Sequence, residues 1–157
     1  VAAVGLISDP KRSDSDALVG PDVVGTGVGG PRVGGFGAVS PVVRTFCAVG
    51  DLYCSTPKDD YVARLAGFLA VSSNPDPDVV AETQQDVGVL LGDIASAGGL
   101  PVLQGQLSDQ ANEQRRREIE AFYRSGVHQE YGSYAVDANG TSATAWLANY
   151  LVGASRM

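Results

Sequence analysis

The sequence predicts a mixed α/β fold whose strands run parallel within a sheet larger than the chain itself supplies. Two apolar runs read as strands. Val1-Ala-Ala-Val-Gly-Leu-Ile-Ser8 is stopped by the turn signal Asp9-Pro10, and Pro41-Val-Val-Arg-Thr-Phe-Cys47, rich in β-branched and aromatic residues, is stopped by Gly50-Asp51. The segment between them is far longer than a hairpin loop, so parallel neighbours are expected. Beyond residue 56 the apolar residues keep helical spacing. Two strands do not make a buried parallel sheet. The remaining strands are expected from another segment or chain, and the opening run, with no polar lead-in, reads as the middle of a sheet.

Residues 9–41 carry no helical period. Eight glycines from Gly20 to Gly37, with Pro10, Pro21, Pro31 and Pro41, predict a long loop that is functional or wrapped on the surface. The first helix is expected to open at Thr56-Pro57-Lys58-Asp59, with Thr56 as N-cap, Pro57 at the first helical position and Asp59 complementing the dipole. Tyr61, Leu65, Phe68 and Leu69 carry it to about Ser72. Asn74-Pro75-Asp76-Pro77 breaks it and starts a second helix over about 77–98, with Val79, Val80, Val87, Leu90, Leu91 and Ile94 as its apolar face and Gly98-Gly99 and Pro101 as its end. Residues 108–125 form a polar helix whose Arg115-Arg116-Arg117 run, followed by Glu118 and Glu120, reads as a solvated face. The loop from Gly126 to Gly140 holds the only histidine. The last helix, about Ser142 to Val152, sets Trp146, Leu147, Tyr150 and Leu151 on one side.

At 157 residues and 16.2 kDa the chain is one domain's worth of polypeptide, and 44% apolar residues with a mean hydropathy of +0.02 allow a real core. Eleven Lys and Arg against 18 Asp and Glu leave a net charge of −7 and a pI near 4.5. That balance argues against nucleic-acid binding and against electrostatic docking on an anionic membrane. No apolar run reaches the roughly 18 residues of a transmembrane helix. No charged and then apolar leader opens the chain, so any export signal is expected to have been removed or to lie upstream. One histidine without a Cys/His cluster argues against a zinc site, and no metal or other cofactor is expected.

Gly25-Thr26-Gly27-Val28-Gly29-Gly30 formally satisfies the G-x-G-x-x-G of dinucleotide folds. In those folds the motif lies directly between a strand and a helix whose N-terminus meets the phosphates. Here a long stretch separates it from the strand, and Pro31 with more glycines follows in place of a helix, so a surface loop is expected. Asn139-Gly140-Thr141 fits a glycosylation sequon, but Asn-Gly is also a turn signal and the turn is preferred. There is no Gly-x-Ser-x-Gly elbow. Gly153-Ala-Ser155 lacks a preceding strand and Gly132-Ser133 lacks the frame, so no nucleophile is expected in this chain. Cys47 and Cys54 flank a glycine at a spacing that can bring two Cα atoms within the bridging range of about 4.4–6.8 Å. Two buried thiols and one short-loop disulfide of an oxidising compartment both fit. Asp51 and His128 are the candidate catalytic residues. Asp51 follows a strand end, where α/β folds place functional groups, and the order Asp then His matches the second and third members of the Ser…Asp…His series. A solvated loop histidine is the plain alternative.

Thr45-Phe-Cys-Ala-Val-Gly-Asp-Leu-Tyr-Cys54 resembles the Gly-Asp-x-x-Cys segment of the cutinase family of serine esterases, the actinobacterial cutinase-like proteins most closely. The resemblance implies that Asp51 is the triad acid and that Cys47 and Cys54 form a disulfide around it. Val1–Ser8 with Asp9-Pro10 resembles the family strand that follows the nucleophile helix. His128-Gln-Glu-Tyr-Gly-Ser-Tyr134 and the helix after it resemble the family's histidine loop and C-terminal helix, which implies that His128 is the base. The implied fold is the C-terminal part of a cutinase-like α/β-hydrolase parallel sheet with an added helical insertion. Residues 1–56 would hold strands and the acid loop, 57–125 the insertion with a lid or cap in 74–125, and 126–157 the histidine loop and last helix. Acid and base are 77 residues apart, further than in a compact cutinase. The nucleophile and its oxyanion donors would lie upstream of Val1, in an N-terminal half present as a preceding segment or a second chain. The implied protein is a secreted or cell-envelope serine esterase or lipase that hydrolyses acyl esters of a lipid or of the envelope. A non-catalytic binding or structural module, and an acyltransferase using the same triad, are the alternatives.

Overall fold

The computed structural model describes residues 1–73 and 80–156. Strands β1 (Val4–Ile7) and β2 (Val43–Phe46) pair in parallel, Val4 opposite Val43 and Ile7 opposite Phe46. Both are shorter than the apolar runs that contain them. Ser8 turns the chain at φ 52°, and Gly37–Val42 form a 3-10 turn where the second run was expected to begin as strand. The other side of β2 is taken by a parallel bridge from Leu18, with Val19 N–H donating to Thr45 O at 2.8 Å and Thr45 N–H to Ala17 O at 2.9 Å. So β2 is interior, and Val43, Thr45 and Phe46 are fully buried. β1 is half-buried along its length and has no strand on its outer side among the described residues.

The core forms where β2 ends. Phe46, Ala48, Tyr131, Val136 and Ala143 are buried together, with Ile7, Val19, Trp146 and Leu147 against them. Helix α5 (Ala143–Ala154), capped by Ser142 accepting from Ala145 N–H at 3.3 Å, covers one face of the strand pair. Trp146 meets Phe46 edge-on at 5.7 Å, and the Tyr150 hydroxyl donates to Val42 O at 2.8 Å. Leu147 lies against Gly5, where a Cβ would come within 2.0 Å of its side chain. Leu151, placed on the same side by the sequence, is exposed.

The long loop is pinned at many points. Arg12 is 2% exposed and spends its guanidinium on backbone carbonyls, donating from Nε to Cys54 O at 2.7 Å and from Nη2 to Gly25 O at 2.7 Å. The glycine motif is equally occupied. Thr26, Gly27, Val28 and Gly29 N–H donate to the carbonyls of Thr56, Arg12, Tyr53 and Pro10 at 2.8–3.0 Å. The amides that would cradle a phosphate are thus consumed internally, and the glycines serve close approach instead. A Cβ on Gly27 would meet the Pro10 carbonyl at 2.2 Å.

Helix α1 is Tyr61–Val71, four residues later than its expected first helical position at Pro57. Thr56 does not cap it. Its backbone is held in an antiparallel bridge to Thr26, and its hydroxyl donates to Leu52 O at 2.6 Å. Asp60 caps instead, accepting from Ala63 N–H at 3.0 Å. The expected break at Asn74–Pro77, and Val79, lie outside the described residues. Helix α2 (Val80–Ser96) buries Leu90 and Ile94 but leaves Leu91 exposed. Gly98-Gly99 does end α2, but Pro101 does not follow as a stop. It occupies the first turn of a further short helix, α3 (Leu100–Gln106), where its missing N–H costs nothing. Helix α4 (Asp109–Ser125) is capped by Ser108 and ended by left-handed Gly126. Its charge run is a solvated face for Arg116 and Arg117, which pair with Glu113 and Glu120 one turn away, whereas Arg115 reaches across to Asp60 at 3.2 Å. No single helix among the described residues is long and apolar enough to cross a membrane.

Gly27→Ala forces a methyl into the Pro10 carbonyl and is expected to destabilise the protein by about 1–3 kcal/mol. Gly88→Ala, in α2 with open space around it, is expected to add roughly 0.5–1 kcal/mol. Urea titrations should show opposite shifts of midpoint at constant slope.

Candidate functional site

The loop after β2 carries Asp51 and is closed by a disulfide. Cys47 and Cys54 are bonded across a Cα–Cα distance of 5.8 Å. The loop is wound tightly, since Cys54 N–H, Ser55 N–H and Ser55 Oγ all donate to the Asp51 carbonyl, the last at 2.7 Å. Gly50 supports this with φ 87°, a conformation that favours glycine. The outcome is an aspartate with 0% exposure, its carboxyl group aimed inward.

That carboxyl group is surrounded by donors from three parts of the chain. Ser8 Oγ and the Tyr131 hydroxyl each donate to Oδ2 at 2.7 Å, and Tyr53 N–H donates to Oδ1 at 3.0 Å. His128 Nδ1 is 3.2 Å from Oδ1 and 3.1 Å from Oδ2. A buried carboxylate is tolerated only when its lone pairs are satisfied in this way.

His128 lies in the 3-10 turn Val127–Gln129, directly after Gly126 redirects the chain out of α4. The turn sets the ring with Nδ1 toward Asp51 and leaves the side chain 38% exposed. Nε2 makes no hydrogen bond among the described residues. Tyr53 stacks on the ring at 4.2 Å and 24°, and Phe122, from the last turn of α4, meets it edge-on at 6.1 Å. The two residues picked from sequence are thus in hydrogen-bonding contact despite their separation along the chain. The arrangement fixes one imidazole nitrogen on a carboxylate and leaves the other able to exchange a proton with a bound group.

Sequence reasoning missed the supporting residues. Ser8 stands at the end of β1, is buried, and is the one non-glycine residue with positive φ among the described residues. Its Oγ is also 3.0 Å from His128 Nδ1. A nucleophile would have to bond the opposite nitrogen from the acid, so Ser8 braces the pair and does not attack. Tyr131 accepts from Ala48 N–H at 2.9 Å while donating to Asp51, and Tyr134 accepts from Val49 N–H at 3.2 Å. These two tyrosines tie the histidine loop to the acid loop. Their signal was their position just after His128. Asn139 lies in a turn, with Asp137 Oδ1 accepting from Asn139 and Thr141 N–H at 3.0 Å each.

Two predictions follow from the bracing. Ser8→Ala loses the hydroxyl and keeps the left-handed backbone, whereas Ser8→Gly loses the hydroxyl and relieves it. The glycine variant should be the more stable of the two by about 1 kcal/mol in urea denaturation. Burial, and then the hydrogen bond and charge of Asp51, push the Tyr131 phenol far above its ordinary value. The folded state therefore holds that proton after the unfolded chain has released it. Its contribution to stability is complete below about pH 10 and is lost as pH rises beyond. Tyr131→Phe should flatten this alkaline loss and cost about 1–3 kcal/mol at neutral pH, because the Ala48 amide and the Asp51 carboxylate each lose a partner.

The chain matches no protein-family model and no curated protein.

Proposed function

We propose that this chain supplies the acid and base of a Ser-His-Asp acyl-ester hydrolase of the cutinase-like α/β-hydrolase type, and that the serine comes from a segment preceding it. The observation that carries the reading is the pairing of His128 Nδ1 with a fully buried Asp51 at 3.1 Å while the ring remains partly exposed. A solvated loop histidine would not be held by a carboxylate that is itself held by a serine, a tyrosine and a backbone amide.

In the proposed reaction the serine Oγ attacks the acyl carbonyl and passes its proton to Nε2 of His128. Asp51 keeps the other proton on Nδ1 and stabilises the imidazolium. The tetrahedral species collapses, the ester C–O bond breaks, and the leaving alkoxide takes the proton from Nε2. Water then attacks the acyl-enzyme by the same exchange. The oxyanion donors are assigned to the segment that carries the serine. The outer side of β1, unpaired among the described residues, supports a further strand there, because a parallel sheet edge left bare exposes its amides and carbonyls. Helices α2 to α4 are read as a lid or cap, since the end of α4 brings Phe122 against the histidine. The disulfide favours a secreted or cell-envelope location, and lipid or envelope esters are the substrates that fit such a cap.

Joined to its nucleophile segment, the protein is expected to hydrolyse a chromogenic acyl ester. His128→Ala and Asp51→Asn should each lower kcat by about 10⁴-fold with much smaller effects on KM. The 157-residue chain alone should show no turnover above background. Near-normal turnover by His128→Ala, or robust turnover by the isolated chain, defeats the assignment.

A further inference from the structure

The histidine is set in an aromatic shelf. Tyr53 covers one face of the ring, and Phe122 stands at its edge, 5.9 Å from Tyr53 and 5.1 Å from Tyr123. The Tyr53 and Tyr123 hydroxyls are neighbours, and their interaction raises the Tyr53 phenol. Only Phe122 is buried. Tyr123 is 65% exposed and Tyr53 37%. Ile119, one turn earlier on the same face of α4, is 42% exposed. Single exposed apolar residues need no explanation, but a continuous aromatic surface touching a candidate catalytic ring does.

We infer that this shelf, formed by Tyr53 with Ile119, Phe122 and Tyr123 of α4, binds the alcohol portion of the ester, and that the substrates are esters of long apolar alcohols. The inference rests on the hydrolase reading. Its geometric basis is that the proton on Nε2 passes to the leaving oxygen, so groups packed around the imidazole ring flank the leaving group rather than the far end of the acyl chain. The charge pattern agrees. The four shelf side chains are uncharged, Arg115 and Arg116 one turn earlier on α4 are engaged with Asp60 and with Glu113 and Glu120, and Asp51 beneath is enclosed and already bonded to Ser8, Tyr131 and Tyr53. An apolar chain of several methylenes laid across two tyrosine rings and an isoleucine gains by burial alone, at roughly a factor of four per methylene fully removed from water.

The test compares methyl, butyl and octyl acetate with methyl octanoate, on the polypeptide that joins this chain to its nucleophile segment, as wild type and as Tyr123→Ser. All three acetates give the same acetyl-enzyme, so the length of the alcohol acts only through acylation and is read in kcat/KM. The wild type should prefer octyl over methyl acetate. Tyr123→Ser should lower that preference about tenfold, the loss of roughly two methylene burials, and leave the ratio of methyl octanoate to methyl acetate as it was. Ile119→Ser should act in the same direction. A loss in the octanoate ratio with the octyl acetate ratio intact overturns the inference by placing the acyl chain on the shelf, and two unchanged ratios overturn it by making Tyr123 a bystander. Absence of turnover on every ester, methyl acetate included, defeats the hydrolase reading itself and is distinguishable for that reason.

Discussion

The buried carboxyl group of Asp51 is the constraint on which the rest of the structure turns. Four donors converge on it: a side chain from the end of β1, an amide of its own loop, and two side chains of the histidine loop. Three of the four come from segments distant in sequence, so the fold is closed around one charge. Burying a carboxylate is unfavourable unless its partners are already in place, and the local architecture reads as the means of keeping them there. The disulfide and the carbonyl-directed bonds of Cys54 and Ser55 fix where the carboxyl group points. Ser8 holds a left-handed backbone conformation at the position where its hydroxyl meets both Asp51 and His128.

The long glycine-rich loop serves the same centre from behind. Arg12 bridges the Cys54 and Gly25 carbonyls, and Val28 N–H reaches Tyr53 O, so the backbone bearing the acid loop is packed against another backbone rather than against solvent. Such proximity is available only where no Cβ intervenes, which is why Gly25 and Gly27 face carbonyls at 2.2–2.3 Å from where a Cβ would stand. Burial draws the Arg12 guanidinium below its ordinary value, with Asp16, Asp14 and Asp9 opposing that shift. The segment that looks like a nucleotide loop in the sequence is therefore a brace.

Much of this was legible in the residues, and the failures have physical causes. The parallel pairing of the two strands followed from the length of their connection, and the solvated face of α4 from its charge run, Arg115 excepted. The contact of Asp51 with His128 rested on sequence order and on the resemblance to the cutinase acid loop, since no local pattern encodes a contact over such a distance. The start of α1 was misplaced because Thr56 has good capping chemistry but its backbone is claimed by Thr26, a tertiary bond that propensity cannot show. Helix α3 was missed because Pro101 reads as a terminator, although proline is equally at home in a first turn. Ser8 gave no signal, and Tyr131 and Tyr134 gave only their place just after His128, because a hydroxyl becomes informative only once its partner is known.

The most direct test is the tautomer of His128, the only histidine in the chain, which makes its ring nitrogens unambiguous in ¹⁵N-resolved NMR. With Asp51 accepting from Nδ1, the neutral ring should carry its proton on Nδ1 and leave Nε2 bare, and Asp51→Ala should abolish that preference. A ring protonated on Nε2, or one averaging between tautomers like free imidazole in the intact protein, would contradict the account.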